Sequence, residues 1–161
     1  MAIEITPMRG RADCEWAAQL MASSEPWLTL GRDHATVLHL LRNPAKDVFL
    51  VRTKSERAGF LVLDLNGPLG GYIQTIGITP EKRGAGLGTA ALRWAEKYIF
   101  ASQPNILLCV SSFNRGAARL YRRLGYAVVG RLPDYIVAGH DEILLRKTRG
   151  PLSPTRRRAK N

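Results

Sequence analysis

Residues 76–89, Ile-Gly-Ile-Thr-Pro-Glu-Lys-Arg-Gly-Ala-Gly-Leu-Gly-Thr, place a permanent cation, Arg83, ahead of three glycines spaced by two, Gly84, Gly86 and Gly88. Glycines at that spacing keep Cβ atoms away, so several backbone N–H groups can converge on one point. A helical run begins at Thr89, and the first amides of a helix are unpaired and favoured by the macrodipole for an anion. A guanidinium suits phosphate geometry. The chemistry on offer is a pyrophosphate cradle. Two other readings fit the same letters: a glycine turn with no ligand, and a dinucleotide-binding turn. Gly86-Leu-Gly88-Thr-Ala-Ala91 matches G-x-G-x-x-A, but that pattern follows a strand directly and needs an acid about 20 residues on. Here Pro80-Glu-Lys-Arg83 intervenes, and Val110-Ser-Ser112 holds no acid. A Walker loop is excluded because no Gly-Lys-Ser/Thr follows.

A second block runs from Asn114 to Tyr126, Asn-Arg-Gly-Ala-Ala-Arg-Leu-Tyr-Arg-Arg-Leu-Gly-Tyr. Asn114 is a good N-cap for a helix at 115–123, and Gly125 stands where a left-handed residue would end it. Ala117, Leu120, Tyr121 and Leu124 share one face, so Tyr121 reads from the residues alone as a core aromatic or a functional phenol. Together the two blocks resemble the GCN5-related N-acetyltransferases (GNAT). Arg83-Gly-Ala-Gly86-Leu-Gly88 is similar to that family's R/Q-x-x-G-x-G/A coenzyme A signature, and 114–126 to its segment of Asn, helix, Tyr and Gly-Tyr/Phe. The resemblance covers about residues 3–147 and is sharp over 73–130. It implies an acetyl-CoA-dependent N-acetyltransferase acting on a primary amine by direct attack, with no metal. It further implies cofactor contacts from Ile76, Gly77, Ile78, Arg83, Gly84, Ala85, Gly86, Leu87, Gly88, Thr89, Asn114, Ala117 and Tyr121, with Tyr121 as the general acid. A coenzyme A thiolate near the free-thiol value of about 8.5 could take a proton from a phenol near 10.

Family members commonly place a Glu near the start of the central strand; Gly70-Gly-Tyr-Ile-Gln-Thr75 has no carboxylate. Glu25, Asp134, His140, Asp141 and Glu142 are the remaining base candidates, each expected as a solvated surface group. The acceptor is expected against the loop 23–31, the turn 66–71 and the segment 131–141, with Glu25, Trp27, Gln74 and Tyr135 as contacts. Residues 131–145 resemble the matching segment of protein N-terminal acetyltransferases, with Ile136 where a second Tyr is usual, so a protein N-terminus is the first acceptor expected and a small amine the second. The alternative is a non-catalytic acyl-CoA-binding or nucleic-acid-associated module on the same fold.

The elements that must position these residues follow from pattern. Ala2–Arg9 alternates as a strand; 11–22 and 33–42 read as helices, the second stopped by Asn43-Pro44. Lys46–Arg52, Arg57–Leu65 and Gly71–Thr79 are three successive strands. A helix from Thr89 to about Ala101, a strand at Ile106–Val110, the 115–123 helix and strands at Tyr126–Arg131 and Glu142–Lys147 complete the chain. Three consecutive strands argue against a purely parallel doubly wound sheet. The expected class is α/β of the mixed α+β kind, a mostly antiparallel sheet with helices on both faces, as the GNAT fold would have, over residues 1–149.

The formal charge is +11, yet seven of the 24 basic residues fall in 146–161, where there is no acid. The last stretch, 150–161, with Pro151 and Pro154, reads as a basic disordered tail able to touch nucleic acid or a ribosome through salt-sensitive contacts. Two distant cysteines, Cys14 and Cys109, suggest neither a disulfide framework nor zinc. With no signal-peptide pattern and no apolar run of membrane-spanning length, a cytoplasmic setting and no membrane partner are expected.

Overall fold

The computed structural model describes residues 2–153; most of the basic tail expected at 150–161 lies outside the described residues. In chain order the elements are β1 (Glu4–Pro7), α1 (Arg11–Ala22), α2 (His34–Leu41), β2 (Asp47–Thr53), β3 (Glu56–Asp64), β4 (Gly71–Ile78), a 3-10 turn (Pro80–Lys82), α3 (Leu87–Phe100), β5 (Asn105–Ser111), α4 (Arg115–Arg123), β6 (Ala127–Val137) and β7 (His140–Thr148). The seven strands form one sheet in the order β1-β2-β3-β4-β5-β7-β6. Every pairing is antiparallel except β4 with β5.

Alternation along the strands sends side chains to two cores. Phe49, Val51, Leu61, Leu63, Ile73, Ile106, Leu108 and Val110 face α3 and α4. Val48, Leu50, Phe60 and Val62 face α1 and α2. On α3 the buried Leu87, Ala91, Leu92, Ala95 and Ile99 recur at helical spacing, giving the stripe that lies on the sheet. Asp33 caps α2 by accepting from Thr36 N at 2.8 Å, and Asn114 caps α4 by accepting from Ala117 N at 3.3 Å. Lys54 and Ser55, both with positive φ, make the tight β2–β3 turn.

One irregularity shapes everything functional. Leu61 pairs with Ile76 and Val62 with Thr75, but Leu63 pairs with Ile73, so Gln74 is an extra residue in β4. At the same level β4 leaves β5: their pairing comprises Gly71–Ile106, Tyr72–Leu107 and Ile73–Leu108 and stops there. Both strands continue, β4 to Ile78 and β5 to Ser111, so a gap opens between them. The parting of β4 from β5 thus coincides with a one-residue bulge. Among the described residues no helix is long and apolar enough to cross a membrane.

Candidate functional site

The glycine loop lies at the open end of that gap. The 3-10 turn takes up the first amides: Lys82 N donates to Thr79 O at 3.0 Å and Arg83 N to Pro80 O at 3.2 Å. Helix α3 starts two residues earlier than its pattern suggested, at Leu87, and its first backbone bond is Ala90 N to Gly86 O at 3.0 Å. Among the described residues nothing accepts from the N–H groups of Gly84, Ala85, Gly86, Leu87, Gly88 or Thr89. Six consecutive donors at the head of a helix are an anion site by geometry and by dipole. The amide of Arg83 is spent on the turn.

Gly84 and Gly86 have φ of +78° and +82°, and a Cβ on either would meet nothing within 4 Å. The backbone shape requires glycine there, and the space above it is open, as a bound diphosphate needs. Leu87 is buried beneath the loop and anchors it. Gly88 packs toward the second motif: a Cβ there would lie 3.8 Å from the Leu120 side chain and 4.0 Å from that of Ile78. The two sequence blocks therefore meet in space. Arg83 does not point freely into the loop. Its Nε donates to Ile78 O at 3.0 Å and its Nη2 to Glu25 O at 3.3 Å. Its charge stays beside the cradle while its donors tie the end of β4 to the α1–α2 loop.

On the α3/α4 side, Tyr121 is buried, its ring edge-on to Tyr126 with centroids 5.9 Å apart. Ala117 is half-buried one turn earlier on the same helix. Burial pushes the Tyr121 phenol up to about 12. Higher than its ordinary value, it stays protonated through the whole neutral range.

The opposite face of the gap carries a different set. Since Ile106, Leu108 and Val110 turn to α3 and α4, Leu107, Cys109 and Ser111 turn the other way. Tyr72, beside Leu107, is half-buried; burial and the neighbouring Cys109 thiol push its phenol far up. Cys109, half-buried, sits next to Tyr72, and burial pushes its thiol up. Glu142 of β7 pairs with Ser111 and is 3% exposed; the Ser111 hydroxyl donates to its Oε1 in a short hydrogen bond. The expectation that Glu142 is a solvated surface group is therefore corrected. Sequence reasoning missed the Tyr72–Cys109–Ser111–Glu142 cluster, since it depends on the β5–β7 register, which no local pattern carries.

The four residues expected at the acceptor have unequal surroundings. Trp27 is buried against Phe60, with ring centroids 5.9 Å apart, and its Cη2 would lie 3.0 Å from a Cβ on Gly77. Gly77 thus leaves room for Phe60 and Trp27, a packing reason as well as a place on the gap. Gly77→Ala is expected to cost about 1–3 kcal/mol in urea denaturation, because the new Cβ would sit 2.5 Å from Phe60. Wild-type stability would show that the two rings can yield. Gln74 is exposed at the bulge, and Tyr135, 65% exposed, lies near enough to affect Tyr72. The Glu25 carboxylate is occupied by Thr29, whose N and Oγ1 lie at 3.2 and 3.0 Å. The segment 131–141, expected as a loop, is largely strand. Asp134 accepts from Gly139 N at 2.6 Å, Asp141 binds the Arg131 guanidinium, and the His140 ring stands edge-on to Phe113 at 4.8 Å. The guanidinium also holds the Asp141 carboxyl below its usual range.

Residues 13–126 match the model of the Acetyltransferase (GNAT) family, more than half of the chain. The chain belongs to the GNAT family. It is 40% identical over 88 residues to an uncharacterized N-acetyltransferase of Methanocaldococcus jannaschii, a match covering 51% of this chain and 56% of that protein, so it spans about half the length of that relative. It is 30% identical over 140 residues to the N-alpha-acetyltransferase RimI of Mycobacterium tuberculosis, covering 84% of each. Its fold is that of the spermidine N-acetyltransferase of Vibrio cholerae, solved with CoA and spermine: the TM-score is 0.73 at 19% identity, over 91% of this chain and 95% of that one. The GNAT family uses acetyl-CoA, and the open glycine cradle with its six free amides fits the diphosphate of that molecule.

Proposed function

We propose that this GNAT protein is an acetyl-CoA-dependent N-acetyltransferase whose acceptor is a primary amine, a protein N-terminus before a small amine. The observation that carries the reading is the run of unpaired amides from Gly84 to Thr89 at the mouth of the β4–β5 gap. Acetyl-CoA supplies an activated acyl thioester. The chain's own residues do the rest. The amides of 84–89, with the charge of Arg83 behind them, hold the diphosphate. The released edge of β4 over Gln74–Ile78 offers backbone donors and acceptors to the cofactor's amide-bearing arm. Gly77, Ile76 and Ile78 line that edge, while Asn114 and Ala117 set the pitch of α4 that places Tyr121. Tyr121 serves as general acid, delivering the proton that a departing sulfur needs. Trp27, Gln74 and Tyr135 border the acceptor on the far face.

A peptide N-terminus suits this site better than a lysine, because an α-amine near 7.7–8.0 is neutral far more often at neutral pH than an ε-amine near 10.4. The likeness to an N-alpha-acetyltransferase supports the same choice. The test is transfer from labelled acetyl-CoA to three sets: peptides with free N-termini, N-blocked peptides containing lysine, and polyamines or aminoglycosides. Mass spectrometry is expected to find the acetyl group on the peptide α-nitrogen. Transfer to small amines alone would replace the acceptor class. Coenzyme A binding without transfer to any of them would make the protein an acyl-CoA-binding module.

A further inference from the structure

We propose that Glu142, held by Ser111 on the acceptor face of the gap, is the base that receives the acceptor amine's proton. The inference rests on the acetyltransferase reading above and supplies the carboxylate that the start of β4 lacks.

Geometry selects it from the available acids. The Glu25 carboxylate is bound to Thr29, Asp134 to the Gly139 amide, and Asp141 to Arg131. The His140 ring packs on Phe113. Glu142 alone of these is buried, and its register partner Ser111 lies three residues beyond Leu108, the last residue of β5 that pairs with β4. It therefore sits beside the open part of the gap, on the face away from Tyr121. One oxygen is fixed by the Ser111 hydroxyl; among the described residues the other, Oε2, has no hydrogen-bond partner. The polar and charged groups around it are Ser111 and Cys109 on β5, Tyr72 on β4 and Arg32 from the α1–α2 loop. The Cys109 thiol and Tyr72 phenol are both pushed up and stay neutral, so neither can act as the base near neutral pH. Burial lifts the Glu142 carboxyl above the usual carboxylate range, while Ser111 and Arg32 pull it partly back. A carboxylate moved toward neutrality is better matched to taking a proton from an ammonium than one at the ordinary value near 4.3.

The proton count closes. Glu142 takes the proton that the amine nitrogen sheds as its bond to the acyl carbon forms. As the carbon–sulfur bond breaks, the sulfur receives a proton through Tyr121, whose phenol is replenished from water. Glu142 returns its own proton to water. The net change is an amine N–H exchanged for a thiol S–H, with base and acid working from opposite faces of one gap.

The test pairs Glu142→Gln with Ser111→Ala in the full chain. Glu142→Gln keeps the shape and the Ser111 contact, so it is expected to melt near the wild type and bind coenzyme A within about twofold by calorimetry. Its kcat/KM for the acceptor is expected to fall about 100-fold or more, with the acid limb of the pH–rate profile lost. Ser111→Ala is expected to stay active with its acid limb moved to higher pH, because the hydroxyl that favours the charged carboxylate is gone. A readout independent of turnover is the carbon-13 carboxyl titration of the protein without cofactor. One glutamate should titrate above the usual range, vanish in Glu142→Gln and move higher still in Ser111→Ala. A Glu142→Gln protein with wild-type rate and pH profile would overturn the proposal, as would a Glu142 that titrates normally. Those failures differ from that of the acetyltransferase reading, in which the unmodified protein itself transfers to no amine.

Discussion

Replacing Gly86 with valine is expected to weaken coenzyme A binding by at least about 100-fold. Two effects combine. Gly86 has φ of +82°, and a β-branched residue there costs roughly 1–2 kcal/mol of backbone strain if the loop holds its shape. The loop relieves that strain by rotating, which turns neighbouring N–H groups away from their common focus. Losing two hydrogen bonds to a charged diphosphate, at about 1.5 kcal/mol each, removes about 3 kcal/mol, or more than a hundredfold in affinity. No protein atom stands within 4 Å of the added Cβ, so a clash inside the fold is not the cause. Gly31→Val is the matched control. Gly31 also has a positive φ, +66°, with nothing within 4 Å, but it lies in the α1–α2 loop and supplies none of the 84–89 amides. Both variants should lose a few degrees of melting temperature, about 2–4 °C per kcal/mol for a chain of this size. Only Gly86→Val should lose the ligand. Equal coenzyme A affinity in the two variants would mean that the diphosphate is held elsewhere.

The cradle was legible in the sequence because its cause is local. Three glycines, a helix start and an arginine announce free amides without any knowledge of the fold. The same holds for α4, where Asn114 and Gly125 bracket a helix that runs as expected from Arg115 to Arg123. Element order was legible too, since each strand and helix carries its own periodicity. What escaped is what depends on register. The bulge at Gln74 leaves no mark in Gly71–Ile78, which reads as plain strand, yet it sets where β4 and β5 part. Glu142 reads as a charge beside Asp141 near a turn; only its pairing with Ser111 shows that it points inward. The closing strands were expected to stop at Arg131 and resume at Glu142. Instead β6 runs on to Val137 and β7 starts at His140, with Asp134 inside β6 and Gly139 in the turn, at φ of +49° and +85°. Arg83 was legible as a cation but not as a clamp, since its partners are backbone carbonyls at Ile78 and Glu25, the second 58 residues away.

Tyr121→Phe is expected to lower kcat about 100-fold while leaving coenzyme A affinity within about twofold. The ring stays: Phe fills the same buried place and keeps the edge-on contact with Tyr126, so the melting temperature should barely move. Only the hydroxyl is lost, and a positioned proton donor is worth roughly 10²–10⁴ in rate. A phenol pushed up to about 12 by burial faces a thiolate near 8.5, so free transfer of its proton is uphill. The phenol therefore holds its proton until the departing sulfur takes it. The same burial fixes the pH response. A group with its midpoint near 12 gives no basic limb below about pH 11, so the acid limb belongs to another residue and should survive in Tyr121→Phe at reduced height. Single-turnover measurements keep product release out of the comparison. An undiminished chemical step in Tyr121→Phe would remove the phenol from the reaction and leave Tyr121 as part of the core that α4 lays against the sheet.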